Sequence, residues 1–198
     1  MITEIELKAV VDDLAARRRQ VESAGGRLVY AGRLHDHRYD TADRDLARRD
    51  HVLRVRIYGD EGAGRAELGF KGPTAYADGF KIREEIAAST GGPSELGAIL
   101  KRLGYIVTRV IDRTIAQYEL CGAVVRFEEY PRMDVLVEIE GQPAAIECAI
   151  EAIGLPRHEF TTDRLPDFVA RFEAATGQRA ALCDDELAGR RWYAVEDA

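Results

Sequence analysis

The sequence predicts an α+β protein in which an antiparallel β-barrel, or a strongly curved sheet, carries helices on its outside. Three observations favour this fold. About eight segments alternate apolar and charged residues with a period of two, as strands with one apolar face do. These segments follow one another in hairpin order, and few helical segments interrupt them. Several of the strands repeat charges on one face, which indicates a sheet that holds something between those charges.

The predicted strands can be read in order along the chain. They cover about residues 2–10, 27–40, 52–58, 65–71, 80–88, 105–120, 123–130 and 134–140. In the first strand Ile5 and Leu7 alternate with Glu4, Glu6 and Lys8, so one of its faces carries only charge. The glycine-rich residues 59–64 are predicted to form a hairpin loop rather than a phosphate cradle, because a strand pattern and not a helix follows them.

Four helical segments lie outside these strands. A glycine marks the end of each, because glycine adopts the left-handed conformation that ends many helices. These positions are Gly25-Gly26, Gly104, Gly154 and Gly177. The last of the four falls in residues 156–198, which we expect to form a helical extension that packs against the barrel or closes one of its ends.

Length and composition limit the class of protein. The chain has 198 residues, of which 46% are hydrophobic and 32% charged, and this suits one globular domain over residues 1–198. The formal net charge of -7 argues against a nucleic-acid binder. The sequence shows no signal peptide and no apolar run that could span a bilayer, so we expect a soluble, cytoplasmic protein without a membrane partner.

The three cysteines give no sign of a metal site or of a disulfide framework. Cys121, Cys148 and Cys183 lie far apart in the sequence and lack the spacing of zinc ligands. In a reducing cytoplasm such residues are most simply small, buried and apolar. We therefore expect three unpaired, buried thiols.

Six short motifs resemble those of the CYTH superfamily, the triphosphate tunnel metalloenzymes that include class IV adenylyl cyclases and thiamine triphosphatases. The first, Glu4-Ile5-Glu6-Leu7-Lys8, is similar to the E-x-E-x-K signature of these proteins. The others follow in family order over about residues 1–155: Tyr39-Asp40-Thr41, Leu53-Arg54-Val55-Arg56, Phe70-Lys71-Gly72-Pro73, Lys81-Ile82-Arg83-Glu84-Glu85 and Val137-Glu138-Ile139-Glu140. The resemblance implies a closed, eight-stranded antiparallel tunnel with charged side chains pointing inward.

The resemblance also implies a set of functional residues, and elementary chemistry agrees with it. A triphosphate needs several cations around it, with arginine forks suited to pairs of phosphate oxygens. The candidate triphosphate-binding residues are Lys8, Arg54, Arg56, Lys71, Lys81, Arg83 and Arg113. Inward carboxylates would repel the same substrate unless a divalent cation lies between them, so Mg²⁺ or Mn²⁺ is the expected cofactor. Its candidate ligands are Glu4, Glu6, Glu128, Glu138 and Glu140, and the candidate catalytic residues are Glu4, Glu6 and Lys8. The alternative is that these charges only form salt bridges across the barrel.

Two positions depart from the family pattern. Where relatives place two cations two residues apart on the sixth strand, this chain has Arg113 and Ile115, so the second cation is absent. Glu128 stands where aspartate is commoner, which makes that side chain one methylene longer. Both departures concern how the third phosphate of a substrate is held.

Three activities are compatible with these residues. Hydrolysis of an inorganic or organic triphosphate is slightly favoured. The alternative is a class IV adenylyl cyclase that makes cyclic AMP and pyrophosphate from ATP, and a further alternative is a polyphosphate-binding module without turnover. The expected partner is a small molecule that contains a triphosphate, such as ATP, thiamine triphosphate or tripolyphosphate. The sequence leaves the choice among these substrates open, and also whether the protein forms a homodimer.

Overall fold

A computed structural model describes residues 2–59, 64–90 and 92–194 of the chain. Nine strands lie in this part: β1 (Ile2–Val10), β2 (Arg27–Asp40), β3 (Val52–Tyr58), β4 (Arg65–Lys71), β5 (Ala75–Ala77), β6 (Phe80–Thr90), β7 (Ile106–Leu120), β8 (Ala123–Glu129) and β9 (Leu136–Glu140). The α-helices described are α1 (Leu14–Ser23), α2 (Asp45–Arg48), α3 (Pro93–Arg102), α4 (Pro143–Ile153), α5 (Leu165–Thr176) and α6 (Asp184–Leu187). A short 3₁₀ helix covers Arg157–Glu159.

Eight of the strands close into an antiparallel barrel. Their order around it is β1, β9, β8, β7, β2, β3, β4 and β6, and pairing of β6 with β1 closes the ring. β5 lies outside the ring and pairs only with β6 among the described strands. The predicted closed, eight-stranded α+β fold is therefore confirmed.

The outer face of the barrel is apolar where helices cover it. Along β1, Ile5 and Leu7 alternate with the charged residues, and Leu7 lies in the largest hydrophobic core together with Ile146 and Ile150 of α4. Asp13 is the N-cap of α1, because its carboxylate accepts a hydrogen bond from the backbone N–H of Ala16. Because this core lies outside the ring, most of the interior can be occupied by polar side chains.

One end of the barrel is partly covered by the C-terminal segment. Ile111 and Leu136 continue the inward rows of Arg113 and Glu138 by period-two spacing, so they also face inward. Both pack in a second core with Phe168 of α5 and with other apolar residues of that segment. Apolar residues between Leu165 and Leu182 therefore pack against part of this end, which we call the α5 end.

Backbone pairing fastens the same segment to the barrel. Thr161 pairs with Lys8, and Ala181 pairs with Arg132 in a second isolated bridge. The backbone N–H of Asp112 also donates to the carbonyl oxygen of Leu182, at 2.8 Å. Within the described residues no helix is both long and apolar enough to cross a membrane.

The expectation of three unpaired, buried cysteines is wrong for two of them. Cys121, in the turn between β7 and β8, forms a disulfide with Cys148 of α4, and both residues are exposed. Their separation of 27 residues in sequence gave no sign that α4 folds back beside this turn. Cys183 is a buried free thiol, as expected. The hairpin loop predicted at residues 59–64 falls largely on residues 60–63, which lie outside the described residues.

Candidate functional site

The charged face of β1 lines the interior of the barrel. Although Glu4 and Glu6 are carboxylates, they are only 4% and 3% exposed. The antiparallel registers bring them opposite charged residues of both neighbouring strands: Glu6 lies opposite Lys81 and Glu140, and Lys8 lies opposite Glu138. Alternation along the strand therefore builds the charged wall of a tunnel, because Ile5 and Leu7 go to the outer face.

The predicted triphosphate-binding cations all reach this interior. Arg54, Arg56, Lys71, Lys81, Arg83 and Arg113 are buried, and the Lys8 side chain keeps only 11% of its surface exposed. All seven line one interior cavity of about 70 Å³. The small volume reflects how many charged side chains meet there.

Asp36 of β2 lies at the centre of the arginines, and the sequence reasoning missed it. Its Oδ2 atom is 3.8 Å from Nη1 of Arg54, 3.6 Å from Nε of Arg56 and 3.5 Å from Nη2 of Arg113. Burial disfavours its charge, but Arg54 and the other guanidinium groups outweigh burial and hold the pKa of Asp36 below its usual range. This carboxylate balances part of the positive charge in the tunnel.

Three of the five predicted metal ligands form a cluster. Carboxylate oxygens of Glu4, Glu138 and Glu140 lie within 4.8 Å of one another. Burial, and next the negative charge of Glu4, raise the pKa of Glu140 to about 7. A divalent cation would relieve the repulsion between the carboxylates of Glu4 and Glu140. Carboxylate oxygens are also the ligands that Mg²⁺ and Mn²⁺ prefer. These residues therefore fit a hard divalent cation.

Glu6 does not join that cluster. Its Oε1 atom accepts hydrogen bonds from Lys8 at 2.9 Å and from Lys81 at 2.6 Å. Burial tends to raise its pKa, but the charges of Lys8 and Lys81 lower it to about 2. Glu6 is thus ionised and engaged by two lysines.

Glu128 also lies apart from the carboxylate cluster. It accepts a hydrogen bond from the hydroxyl of Tyr130 at 2.6 Å, and its Oε1 atom is 3.4 Å from Nε of Arg113. Glu128 and Tyr130 line the same cavity as Arg113. The two predicted ligands outside the cluster, Glu6 and Glu128, therefore orient cations in this arrangement.

Arg83 is held by backbone carbonyls. Its Nε atom donates to the carbonyl oxygen of Gly72 at 2.7 Å, and its Nη2 atom donates to that of Asp50 at 2.6 Å. These bonds join the Lys71-Gly72-Pro73 turn and the residues before β3 to β6. Arg83 thus fixes the geometry of the tunnel wall as well as adding charge to it.

Ile115 faces the tunnel, as the predicted register requires. It lies directly opposite Glu128 in the pairing of β7 with β8, and it is 1% exposed. None of the three apolar cores includes it among the described residues. A cation that was not among the predicted site residues lies two residues from Glu128 on β8. This is Arg126, which is opposite Gln117 of β7 and donates a hydrogen bond to Glu138 at 2.6 Å.

Salt bridges alone do not satisfy the interior. Within the described residues, buried atoms without a hydrogen-bond partner include Glu6 Oε2, Asp36 Oδ1, Arg54 Nε and Arg56 Nε. Unpaired polar atoms in a low-dielectric interior cost free energy unless water or a ligand satisfies them. Water or a polar ligand can satisfy these atoms, and the guanidinium nitrogens among them can donate hydrogen bonds to an anion.

Two of the missed residues carried a detectable signal. Asp36 continues the inward row of β2 by period two, and Arg126 precedes Glu128 by two residues on β8. Arg164, which also lines the cavity, comes from the segment before α5 and shares no strand periodicity. Only the three-dimensional arrangement brings Arg164 to the tunnel.

Comparison with known proteins gives one family match and several structural matches. The CYTH domain family matches residues 3–148. A candidate adenylate cyclase from Vibrio parahaemolyticus has a TM-score of 0.71 at 17% identity, covering 84% of this chain and 97% of that one. The PH1819 protein from Pyrococcus horikoshii has a TM-score of 0.67 at 21% identity, with coverages of 88% and 99%.

A third similar structure is a candidate adenylyl cyclase from Hippeastrum that is described as having a dominant triphosphatase activity. Its TM-score is 0.60 at 19% identity, and the match covers 87% of this chain and 96% of that one. No curated protein matches the chain. At these identities the structures establish a shared fold, and the family match spans most of the sequence. The chain is a member of the CYTH domain family.

Proposed function

We propose that this protein is a divalent-metal-dependent triphosphatase that binds the phosphate chain of its substrate inside the tunnel. The observation that carries the proposal is the placement of a three-carboxylate cluster beside buried cations that keep unpaired donors. Membership of the CYTH family supports an enzyme of this class. The description of the Hippeastrum protein favours hydrolysis over cyclisation as the first activity to test.

The cations would bind and orient the phosphates. Arginine guanidinium groups suit pairs of non-bridging oxygens, while lysines act as compact point charges. Arg54 and Arg56 line the cavity, and the Nε atom of each has no hydrogen-bond partner within the described residues. In a site largely shielded from bulk water, such preorganised donors stabilise the charge that builds up on transferred and leaving phosphates.

The carboxylate cluster would hold the cofactor. Glu4, Glu138 and Glu140 are the residues proposed to bind Mg²⁺ or Mn²⁺. A bound divalent cation supplies charge neutralisation and lowers the pKa of a coordinated water. Lys8, one of the proposed phosphate-binding cations, contacts both Glu6 and Glu138, so it lies directly beside the proposed metal ligands.

The proposed reaction is a hydrolysis. The oxygen of a water molecule attacks the terminal phosphorus, and the bond from that phosphorus to its bridging oxygen breaks. The products are inorganic phosphate and the shortened phosphate chain, and the proton of the attacking water is released. The buried cations favour this step because they stabilise the charge on the leaving phosphate chain.

The proposal is tested by product analysis. Purified protein is incubated with tripolyphosphate, thiamine triphosphate and ATP, each with Mg²⁺ or Mn²⁺, and the products are separated. We expect free phosphate from at least one substrate, and none in the presence of EDTA. A Glu4→Gln variant should lose nearly all turnover, because it removes one negative charge from the cluster at almost constant shape.

The control is Glu147→Gln, which alters an exposed carboxylate on α4 that pairs with Arg157 at the surface. It should keep full activity. Formation of cyclic AMP from ATP would instead identify a class IV adenylyl cyclase. Saturable tripolyphosphate binding without any product would identify a binding module and overturn the proposed hydrolysis.

A further inference from the structure

The segment before α5 brings one more cation to the tunnel. Arg164 lies outside the family match, which ends at residue 148. Its side chain lines both the tunnel cavity and a neighbouring cleft of about 570 Å³. The two cavities also share Arg38 and Val52. Arg164 therefore lies where the tunnel opens towards solvent at the α5 end.

Asp50 holds Arg164 at this opening. The Nη2 atom of Arg164 donates to Oδ1 of Asp50 at 3.0 Å. The same Oδ1 atom lies 3.9 Å from Nη2 of Arg83, so two guanidinium groups share one carboxylate oxygen. The other carboxylate oxygen accepts a hydrogen bond from the backbone N–H of Thr74 at 2.6 Å. Asp50 thus connects β6, the turn after β4 and the C-terminal segment.

This arrangement leaves Arg164 only partly engaged. Its side chain keeps 42% of its surface exposed, and Asp50 keeps 33%. An exposed ion pair of this kind contributes little to stability. The guanidinium group can therefore exchange Asp50 for a stronger anionic partner at low cost.

We propose that Arg164 is a substrate-binding residue. When a phosphate chain occupies the tunnel, Arg164 breaks its ion pair with Asp50 and contacts the outermost phosphate. The inference rests on the proposed function, since it requires a phosphate chain in the tunnel. It assigns part of the binding site to a segment beyond the family domain. It also implies that the tunnel distinguishes phosphate chains by length, because only a chain that reaches the opening meets Arg164.

The test measures the affinity of the full-length protein for tripolyphosphate and for pyrophosphate by calorimetry, with Mg²⁺ present. Arg164→Ala should weaken tripolyphosphate binding at least tenfold, the scale for losing a hydrogen bond between charged groups. It should change pyrophosphate binding by less than threefold. The matched control is Arg171→Ala. This variant removes an arginine of α5 that is 52% exposed and paired with Asp163, and it should change neither affinity.

A second variant separates substrate binding from a structural role. Asp50→Asn removes the competing charge, keeps an acceptor for Thr74, and suits the left-handed backbone of residue 50, where φ is 54°. If Arg164 moves to the phosphate, Asp50→Asn should tighten tripolyphosphate binding while Arg164→Ala weakens it. If the pair only fastens the C-terminal segment, both variants should weaken binding and lower the melting temperature together.

The outcomes distinguish this inference from the proposed function. Tripolyphosphate binding by the wild type with equal affinities for Arg164→Ala and Arg171→Ala would overturn the role of Arg164 alone. Equal losses for tripolyphosphate and pyrophosphate would also overturn it, because the chain-length dependence would be absent. A wild-type protein that binds neither ligand would overturn both proposals.

Discussion

At the scale of single residues, Asp36 explains how several arginines can share one cavity. Guanidinium groups that face one another repel, and burial removes the water that would screen them. The carboxylate of Asp36 is fully buried and lies 3.5 to 3.8 Å from Arg54, Arg56 and Arg113. Its negative charge holds these groups in place before any substrate arrives. Asp36 is therefore a positioning residue of the tunnel.

Replacing Asp36 should make the stability of the protein depend on an anion. We expect Asp36→Asn to lower the free energy of unfolding by about 3 kcal/mol, the scale for leaving buried charges without a partner. Tripolyphosphate should restore part of this loss, so its stabilising effect should be larger for the variant than for the wild type. Thermal unfolding with and without tripolyphosphate measures both quantities.

A matched control for this variant is Asp112→Asn. Asp112 is also a buried carboxylate of a barrel strand, but it pairs with His35 and lies outside the tunnel cavity. Its replacement should leave the stabilising effect of tripolyphosphate unchanged. Equal ligand effects in wild type and Asp36→Asn would contradict the positioning role.

Lys81 should take up a proton when a phosphate chain binds. Burial, and next the positive charge of Lys8, lower the pKa of Lys81 to about 8. In the protein without a bound phosphate chain, Lys81 is therefore largely neutral at pH 9. A bound polyanion favours the charged form and raises this pKa again. Affinity for tripolyphosphate should therefore fall as the pH rises from 7 to 9, with proton uptake on binding near pH 8.5.

Calorimetry in two buffers of different ionisation enthalpy measures this proton uptake. Lys81→Arg keeps the positive charge over the whole range, so it should lose the share of the uptake that belongs to Lys81. Any remaining uptake then belongs to the ligand or to other groups. The same proton uptake in both proteins would show that Lys81 does not titrate on binding.

At the scale of elements, the sequence allowed the strands to be predicted to within about two residues. The ends of β1, β2, β3 and β4 agree with the predicted ranges, because alternation is regular there and turn residues interrupt it sharply. β9 begins at Leu136 rather than near residue 134. The three-residue β5 and the four-residue helices α2 and α6 were not predicted, because segments this short show no period.

Site residues could be predicted where strand register decides their position. Arg54, Arg56 and Arg113 share one face of their strands with a period of two, and register brings that face to the tunnel. The separation of Glu6 from the carboxylate cluster could not be predicted, because it depends on which lysine each flexible side chain reaches. Arg164 could not be predicted either, since a loop and not a strand delivers it.

The disulfide should stabilise the contact between the β7–β8 turn and α4. Cross-linking residues 27 positions apart restricts the unfolded chain by roughly 3 kcal/mol in the loop-entropy account. Reduction should therefore lower the melting temperature of the wild type by roughly 5 to 10 °C. Differential scanning fluorimetry with and without a reductant measures this shift.

The Cys121→Ser/Cys148→Ser double variant should unfold at the lower temperature with or without reductant. Cys183→Ser is the control, because it alters a thiol that is buried and unpaired, and it should keep the sensitivity to reductant. If the melting temperature of the wild type does not change when reductant is added, the disulfide contributes nothing to stability.

At the scale of the whole molecule, the protein separates its stabilising core from its charged interior. The largest apolar core lies between the barrel and the helices α1 and α4, so the interior need not supply hydrophobic burial. The tunnel can then hold like charges close together, provided that a counter-ion relieves them. At the candidate metal site Lys71 pairs with Glu4, and Lys8 and Arg126 pair with Glu138, but Glu140 adds a further negative charge to this group, and this predicts a conflict between stability and metal binding.

Glu140→Gln should stabilise the metal-free protein and remove its response to metal. The amide keeps the shape of the side chain but takes one negative charge out of a buried cluster, so repulsion from Glu4 and Glu138 falls. In EDTA at pH 8 we expect the variant to be more stable than the wild type by on the order of 2 kcal/mol, because the rise of the Glu140 pKa to about 7 corresponds to roughly 3 kcal/mol and the 29% exposure of this side chain reduces the effect.

Magnesium should reverse that order. Ligands that bind only the native state add stability in proportion to the logarithm of their concentration, and the variant has lost one of the three carboxylates that would bind the ion. Chemical unfolding of both proteins in EDTA and over a series of Mg²⁺ concentrations measures the two effects together. Stabilisation of the variant in EDTA combined with an undiminished response to Mg²⁺ would place the metal elsewhere. A variant less stable than the wild type in EDTA would mean that Glu140 is already neutralised by the protein, through Arg126, whose Nη2 atom lies 3.9 Å from Oε2 of Glu140.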